Sequence, residues 1–411
     1  MISNEPIGII ELGSVKIKCI IFKINNNNNP EILSTSLSNS EGIHNGVVVN
    51  LSKAAAIIRS CISTAEKKAE VSLKRINVIV EQPEFLSTTL SKNRKINGSK
   101  IHKDDIIFLL KEAKKQISLN DTTHSIIHIF NHNYIVDGKT FTEEPIDVYA
   151  NYLSHEMTFI TMPKNNIKNI NQVFTDCDIE VERFISCTFA LGIQLLNDND
   201  LQFGSILIDM GFEKTSLGLF KNLALISSMT FPIGVNHIIK DVAKVCLLTS
   251  DESKTIIQKI DFSFLDNKKL FDRNELLIDS YFKKTIFRKI SKTLLLNVIQ
   301  DRLNEILETL KKQIALAGFD PKLGNNLYIT GGGSNLTNLS KYFSNFFYSD
   351  VQQIEKKQNL KELVELEDDF MACFGALTLI KDGWETEAIP VPSRNDSDKN
   401  SFFAKIFKNL T

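Results

Sequence analysis

The chain has 411 residues, of which 43% are hydrophobic and 24% are charged, and its formal net charge is −1. This length exceeds what one compact core accommodates, so two or more domains are expected. The near-zero net charge provides no global field for nucleic acid, which we do not expect as a partner. Six scattered cysteines without a Cys-x-x-Cys pair indicate reduced thiols and exclude a disulfide framework. No stretch approaches the roughly 18 apolar residues of a membrane span, so any membrane contact would be peripheral.

The spacing of apolar residues predicts an α/β chain. A smaller unit of its own is predicted from about Glu84 to Met162, and within it Asp104 and Asp105 begin an amphipathic helix. The other elements predicted in the first half are a strand–turn–strand at 7–22, a helix at 51–70, strands at 76–80, 125–136 and 155–162, and helices at 165–175 and 186–197. Histidines 124, 128 and 132 recur every four residues, but a strand would not converge them on one metal.

Residues 204–220 repeat the opening hairpin. In both copies an apolar strand ends in a carboxylate, followed by one apolar residue and a glycine, and a phenylalanine closes the return strand eleven positions after the carboxylate. Glu11, Gly13 and Phe22 correspond to Asp209, Gly211 and Phe220. A long-range duplication of this kind predicts two similar α/β domains that face each other.

A carboxylate at a strand end, followed by a glycine turn, is suited to phosphate and metal. The glycine lets backbone N–H groups approach phosphate oxygens, and the carboxylate can organise hydrated Mg²⁺. A structural hairpin is the alternative for either copy alone, and the matched pair favours phosphate. Residues 327–336 add a strand that runs into Gly331, Gly332 and Gly333 before a helix. Such a loop permits close packing on an adenosine, although a sharp turn is the alternative.

The two hairpins and the Gly-Gly-Gly-Ser loop, in this order and spacing, resemble the actin, sugar-kinase and heat-shock chaperone superfamily. Other stretches resemble the FtsA family of bacterial cell-division proteins, over residues 1–384 and the tail. These stretches are 46–50 with the helix that reaches Ala65 and Glu66, Val136-Asp137-Gly138, 231–234 leading to Asp241, and 298–302 with Glu305.

The resemblance implies a bipartite actin-like ATPase fold with two duplicated lobes, a nucleotide between them, and an inserted small α/β subdomain of the SHS2 type. The implied parts are a first core subdomain (1A) at 1–82, 163–190 and 370–384, the inserted subdomain (1C) at 83–162, a second core subdomain (2A) at 191–236 and 303–369, a partner-binding subdomain (2B) at 237–302, a linker at 385–400 and a membrane-targeting helix at 401–411.

Matched residue by residue, the resemblance implies ATP-binding and metal-organising positions. They are Gly13, Ser14 and Lys16 in the first phosphate loop, Asp209, Gly211 and Thr215 in the second, Gly331, Gly332 and Gly333 at the adenosine, and Glu11 and Asp209 for Mg²⁺ through water.

Two departures from the family pattern concern the phosphate loops. Glu11 stands where the family normally has Asp, and residues 212–214 replace two glycines and a threonine with Phe, Glu and Lys. Because Phe212 removes backbone freedom and Glu213 would repel a polyphosphate, we expect weakened ATP binding with little or no turnover.

The last eleven residues form an amphipathic pattern behind a polar linker. One helical face would hold Phe402, Phe403, Ile406, Phe407 and Leu410, flanked by Lys405 and Lys408. Such a segment fits an interfacial helix on an anionic membrane, and FtsA-like proteins end in this way. The alternative is a terminal helix that docks on its own protein.

The resemblance to FtsA implies an adaptor that anchors FtsZ filaments to the inner membrane at the septum, polymerises with itself and recruits later division proteins. By resemblance, the acidic C-terminal peptide of FtsZ would bind subdomain 2B, where the candidate basic residues are Lys283, Lys284, Arg288, Lys289 and Lys292. A solvated helix face is the alternative for these residues. The alternative functions are a superfamily ATPase or kinase, for which no sugar pocket is evident, and a pilus-assembly relative of FtsA, which would be expected to lack the tail.

Overall fold

A computed structural model describes residues 5–25, 29–262, 276, 290–353 and 370–381. By the density of internal contacts the chain divides into two units. The first comprises 1–203, 220–229 and 357–411, and the second comprises 204–219 and 230–356.

The described residues form both strands and helices. The strands are β1 (Ile7–Leu12), β2 (Lys16–Ile24), β3 (Pro30–Asn39), β4 (Ile43–His44), β5 (Val47–Val48), β6 (Arg75–Val80), β7 (Leu86–Lys100), β8 (His124–Val136), β9 (Lys139–Phe141), β10 (Tyr149–Pro163), β11 (Glu180–Ser186), β12 (Ser205–Met210), β13 (Thr215–Lys221), β14 (Ala224–Phe231), β15 (Asn326–Thr330) and β16 (Val351–Gln353). The helices are α1 (Leu51–Ala69), α2 (Lys103–Asn120), α3 (Lys164–Thr175), α4 (Cys187–Leu195), α5 (Asp198–Phe203), α6 (Val235–Val245), α7 (Ser250–Lys259), α8 (Lys292–Leu316), α9 (Leu339–Phe347) and α10 (Met371–Lys381).

A five-stranded sheet of order β11-β6-β1-β2-β3 forms the core of the first unit. β1 is antiparallel to β2 and parallel to β6, which is parallel to β11. Helix α1 covers β2 and β3, and the Ser36 hydroxyl donates to the Cys61 carbonyl at 2.7 Å. The buried face of α1 consists of Ala54, Ile58, Cys61, Ile62 and Ala65. Asn50 caps the start of this helix, because its side-chain oxygen accepts from the Lys53 N–H at 3.0 Å.

The inserted segment of the first unit has its own sheet, of order β7-β10-β8-β9, with α2 packed against it. Two apolar clusters fill the space between helix and sheet, one around Leu109 and Leu153 and the other around Met157 and Phe159. Strand β7 was not predicted, because its residues are mostly exposed and polar and show no alternation of apolar positions.

A second five-stranded sheet has the order β14-β13-β12-β15-β16. Strands β12 and β15 are parallel, as are β15 and β16. These pairings repeat those of β1 with β6 and of β6 with β11, so both sheets share one topology. The predicted duplication is confirmed. Among the described residues, no helix combines the length and the apolar character needed to cross a membrane.

Candidate nucleotide-binding loops

The first loop joins β1 to β2 in the first unit. A Cβ atom on Gly13 would lie 2.5 Å from the carbonyl oxygen of Lys16, so the tightness of the turn requires glycine. Ser14 and Lys16 are half-buried in the same turn, and Val15 at its tip is exposed. The structure therefore brings the three predicted residues of this loop together.

The carboxylate that precedes this loop is already paired. Glu11 and Lys18 are cross-strand partners, and the Lys18 ammonium donates to both carboxylate oxygens of Glu11 at 3.0 Å. Burial lowers the pKa of Lys18, whereas the negative charge of Glu11 and its hydrogen bond raise it. The raising effects are larger together, so the pKa of Lys18 lies above its ordinary value. Sequence reasoning did not identify Lys18, although the register of the hairpin places it opposite Glu11.

The second loop, in the second unit, repeats the close approach of a glycine to the carbonyl three residues later. The N–H of Gly211 donates to the Lys214 carbonyl at 2.9 Å, and a Cβ on Gly211 would approach that oxygen to 2.9 Å. The Gly211–Lys214 interval equals the Gly13–Lys16 interval. The duplication inferred from sequence thus extends to the closing contact of each turn.

Helix α6 holds the altered residues of the second loop in place. The N–H of Asn236 donates to the Phe212 carbonyl at 2.8 Å, and the Asn236 side-chain amide donates to Glu213 Oε1 at 2.7 Å. Oε2 of Glu213 is buried and has no hydrogen-bond partner among the described residues. Gly234 permits this contact, because a Cβ there would lie 2.6 Å from the carbonyl oxygens of both Gly211 and Phe212. Glu213 is therefore tied to α6.

Thr215, predicted to bind phosphate, is fully buried. Its hydroxyl donates to the Ile233 carbonyl at 2.7 Å. That hydrogen bond uses the only proton the side chain can donate, so a phosphate oxygen would have to compete with Ile233 for it. The Thr215 hydroxyl therefore has a structural role in closing the loop, and phosphate binding by Thr215 stays a prediction.

The third loop packs directly on the second within the same unit. Gly331 has φ +88°, and a Cβ there would fall within contact distance of Asp209 Oδ1 and 2.7 Å from the Met210 carbonyl oxygen. A Cβ on Gly333 would lie 2.8 Å from the same Met210 oxygen, whereas a Cβ on Gly332 would have no heavy atom within 4 Å. Asp209 is opposite Thr330 in the parallel pair of β12 and β15. The carboxyl ends of these two strands therefore bring together the predicted residues of the second and third loops, in the position where open α/β sheets bind ligands.

The residues predicted to organise Mg²⁺ fit that cation poorly in the first loop. A hydrated cation needs a carboxylate whose lone pairs can accept hydrogen bonds from its waters. Both oxygens of Glu11 accept from Lys18 instead. Asp209 is half-buried beside Gly331. In the part of the chain that the structure describes, no three His, Cys, Asp or Glu residues are grouped as a metal site.

Two sets of predicted site residues fall largely outside the described residues. The tail residues that are predicted to face the membrane (402–410) all lie outside the described residues. Four of the five basic candidates for partner binding also lie outside them, namely Lys283, Lys284, Arg288 and Lys289. The fifth, Lys292, is the first residue of α8, which Ser291 caps by accepting from the Leu294 N–H. Farther along α8, Arg302 donates to Asp241 of α6 at 2.6 Å.

The two sheets and their loops define an actin-like fold, which confirms the predicted fold class. The structure is similar to the PilM–PilN type IV pilus biogenesis complex (TM-score 0.63, 11% identity, covering 92% of this chain and 99% of that chain). It is also similar to MreB 5 of Spiroplasma citri bound to AMPPNP (TM-score 0.50, 12% identity, covering 92% and 97%). Identities this low show the fold alone.

The sequence comparisons are more specific. The SHS2 domain inserted in FtsA matches residues 85–161. Among curated relatives, the cell division protein FtsA of Agrobacterium fabrum is 24% identical over 350 residues (82% of this chain, 78% of the relative). The FtsA of Borreliella burgdorferi is 25% identical over 349 residues (84% and 83%). That of Buchnera aphidicola from Acyrthosiphon pisum is 22% identical over 410 residues (98% and 95%). Over most of its length the chain therefore resembles FtsA cell-division proteins, and residues 85–161 match the SHS2 domain that is inserted in FtsA.

Proposed function

We propose that this protein tethers FtsZ filaments to the cytoplasmic membrane at the division septum, associates with itself and recruits later division proteins. The observation that carries the proposal is the similarity to FtsA proteins over almost the whole chain, together with the SHS2 domain inserted in FtsA at residues 85–161. Self-association is proposed from the resemblance to FtsA proteins and from the duplicated actin-like fold.

The tail supports the membrane part of the proposal. Residues 401–411 hold five apolar side chains at helical spacing between lysines, after a linker rich in polar residues. Burying one Phe in the interface contributes about 1.5–3 kcal/mol, and anionic lipids attract the flanking lysines. A segment with these properties binds reversibly and positions a partner at the bilayer surface.

For the partner, we propose an acidic C-terminal peptide of FtsZ that binds residues 237–302. The support is charge complementarity with Lys283, Lys284, Arg288, Lys289 and Lys292. Binding of this kind would be weak individually and would gain strength from the many copies in a filament.

For the nucleotide, we propose that the chain binds ATP weakly and turns it over little or not at all. In the second unit, Gly211, Gly331 and Gly333 leave the backbone of two loops close together. Asn236 ties down Glu213, which limits the repulsion that this carboxylate exerts on a polyphosphate. The buried Thr215 and the bulky Phe212 nevertheless remove groups that a tight phosphate clamp would use. Nucleotide would act as a conformational ligand.

A pilus-assembly role is the second candidate, favoured by the structural similarity to the PilM–PilN complex. The SHS2 domain inserted in FtsA and the apolar face of residues 402–410 favour the division role over it.

Recruitment of FtsZ to liposomes tests the proposed function. The full-length protein and polymerised FtsZ are sedimented with vesicles that contain an anionic lipid. We expect FtsZ to sediment with vesicles only when this protein is present, and Phe403→Glu with Phe407→Glu to abolish recruitment. Ala404→Glu introduces a negative charge on the opposite helical face and should reduce recruitment far less. Recruitment that survives the double substitution would contradict the membrane role, and failure of FtsZ to bind in solution would contradict the partner.

A further inference from the structure

The ion pair between Glu11 and Lys18 differs from an ordinary surface pair. The ammonium contacts both carboxylate oxygens at 3.0 Å, and the two side chains are only 18% and 14% exposed. Strand register fixes the partners, because Glu11 is directly opposite Lys18 in the β1–β2 ladder. The pair therefore does not depend on two long side chains meeting by chance in solvent.

Such a pair competes with a divalent cation for the same carboxylate. A hydrated cation at Glu11 would have to displace the ammonium or sit beside it. Displacement would leave a partly buried lysine without its counterion, which is strongly unfavourable. A position beside it would place a doubly charged ion within a few ångströms of another positive charge. Both routes weaken metal binding at the first loop.

We propose that Lys18 is the permanent counterion of Glu11 and excludes divalent cations from the first loop, so that nucleotide contacts this loop without a metal. The inference deepens the nucleotide-binding role proposed above and rests on it for its functional meaning. The exclusion of the cation is a property of the hairpin itself and can be measured without nucleotide.

The test is a Mn²⁺ titration of the full-length protein, followed by electron paramagnetic resonance of free Mn²⁺. We expect Lys18→Met to bind Mn²⁺ at least about tenfold more tightly than the unsubstituted chain, because the carboxylate loses its counterion. Glu11→Gln combined with Lys18→Met should remove the gain. Lys18→Gln, which keeps a donor without the charge, provides a second variant if Lys18→Met unfolds. Lys23→Met on the same strand, whose partner Glu31 is largely exposed, is the matched control and should change nothing.

Two outcomes would overturn the inference. One is Mn²⁺ binding to the unsubstituted protein that Glu11→Gln abolishes, which would show that the lysine does not exclude the cation. The other is the absence of any gain in Mn²⁺ affinity in both Lys18 variants when they remain folded.

Calorimetry of ADP binding, once in Mg²⁺ and once in EDTA, is a separate experiment. Affinities within about threefold of each other support the inference, whereas no binding in either buffer contradicts the proposed nucleotide role and leaves the Mn²⁺ comparison to decide the inference.

Discussion

Nε2 of His128 accepts a hydrogen bond from the backbone N–H of Ser186 at 2.8 Å, and both side chains are fully buried. His128 belongs to strand β8 of the inserted sheet, and Ser186 caps helix α4 of the core. The Ser186 hydroxyl in turn donates to Glu81 at the end of β6, which also accepts from the Thr188 N–H. One buried polar chain therefore joins the inserted segment to the core sheet within the first unit.

This junction predicts a loss of stability in mild acid. Burial lowers the pKa of His128 to about 3, whereas an unfolded histidine titrates near 6.5. Between these values the unfolded chain binds the proton and the folded chain does not, so stability falls as pH drops below about 6.5. At pH 5 this one group should cost about 2 kcal/mol relative to pH 7.5. Urea unfolding of the first unit at both pH values measures the difference.

His128→Gln keeps an acceptor for Ser186 but cannot titrate, so the difference between pH 7.5 and pH 5 should shrink by about that amount. His44→Gln, at an exposed position, serves as the control and should leave the difference unchanged. Equal pH dependence in the His128 variant and the unsubstituted chain would show that His128 does not control acid stability.

The second prediction separates backbone strain from close packing in the third loop. Gly331 and Gly324 both have positive φ, so alanine at either position should strain the backbone. Only Gly331 also abuts Asp209 and Met210, whereas Gly324 has nothing within 4 Å of a Cβ. We therefore expect Gly331→Ala to abolish nucleotide binding and Gly324→Ala to preserve it, as measured by fluorescent-nucleotide titration. Similar affinities for the two variants would refute a role for the third loop.

Much of this arrangement is local in sequence and could be predicted. The two hairpins, α1 and the glycine loop each depend on a short run of residues whose apolar spacing or glycine content is diagnostic. The Glu11–Lys18 pair also follows once the turn at Gly13 fixes the register of β1 on β2. The close approach of Gly331 to Asp209 could not be predicted from a short run of residues. It depends on the parallel pairing of β12 with β15 across more than a hundred residues, for which no local signal exists.

The third prediction concerns the partner surface. The protein without residues 401–411 should bind an acidic FtsZ C-terminal peptide weakly, with affinity that falls as salt rises. Lys284→Glu with Arg288→Glu should weaken binding at least about tenfold, because two attractive charges become repulsive. Lys311→Glu with Lys312→Glu makes the same charge change on α8 outside residues 237–302, at exposed positions, and should have little effect. Fluorescence anisotropy at two salt concentrations measures this, and equal loss in both pairs would assign the effect to net charge alone.

The fourth prediction concerns the second loop, where the sequence departs most from the phosphate-loop pattern of the FtsA proteins that it resembles. Phe212→Gly, Glu213→Gly and Lys214→Thr together should tighten ATP binding, because they remove a bulky side chain and a carboxylate beside the phosphates. Glu213→Gly also frees the Asn236 amide, which then becomes available to an anionic ligand.

Asn236→Ala in the unsubstituted chain should act in the opposite direction, because it releases the Glu213 carboxylate from α6 and weakens binding further. Calorimetry on the triple variant and on Asn236→Ala measures the two effects. Phosphate release should stay low in both, since hydrolysis also requires metal and water in register, and small displacements are costly. Tight ATP binding with measurable turnover by the unsubstituted chain would show that the altered loop is no defect.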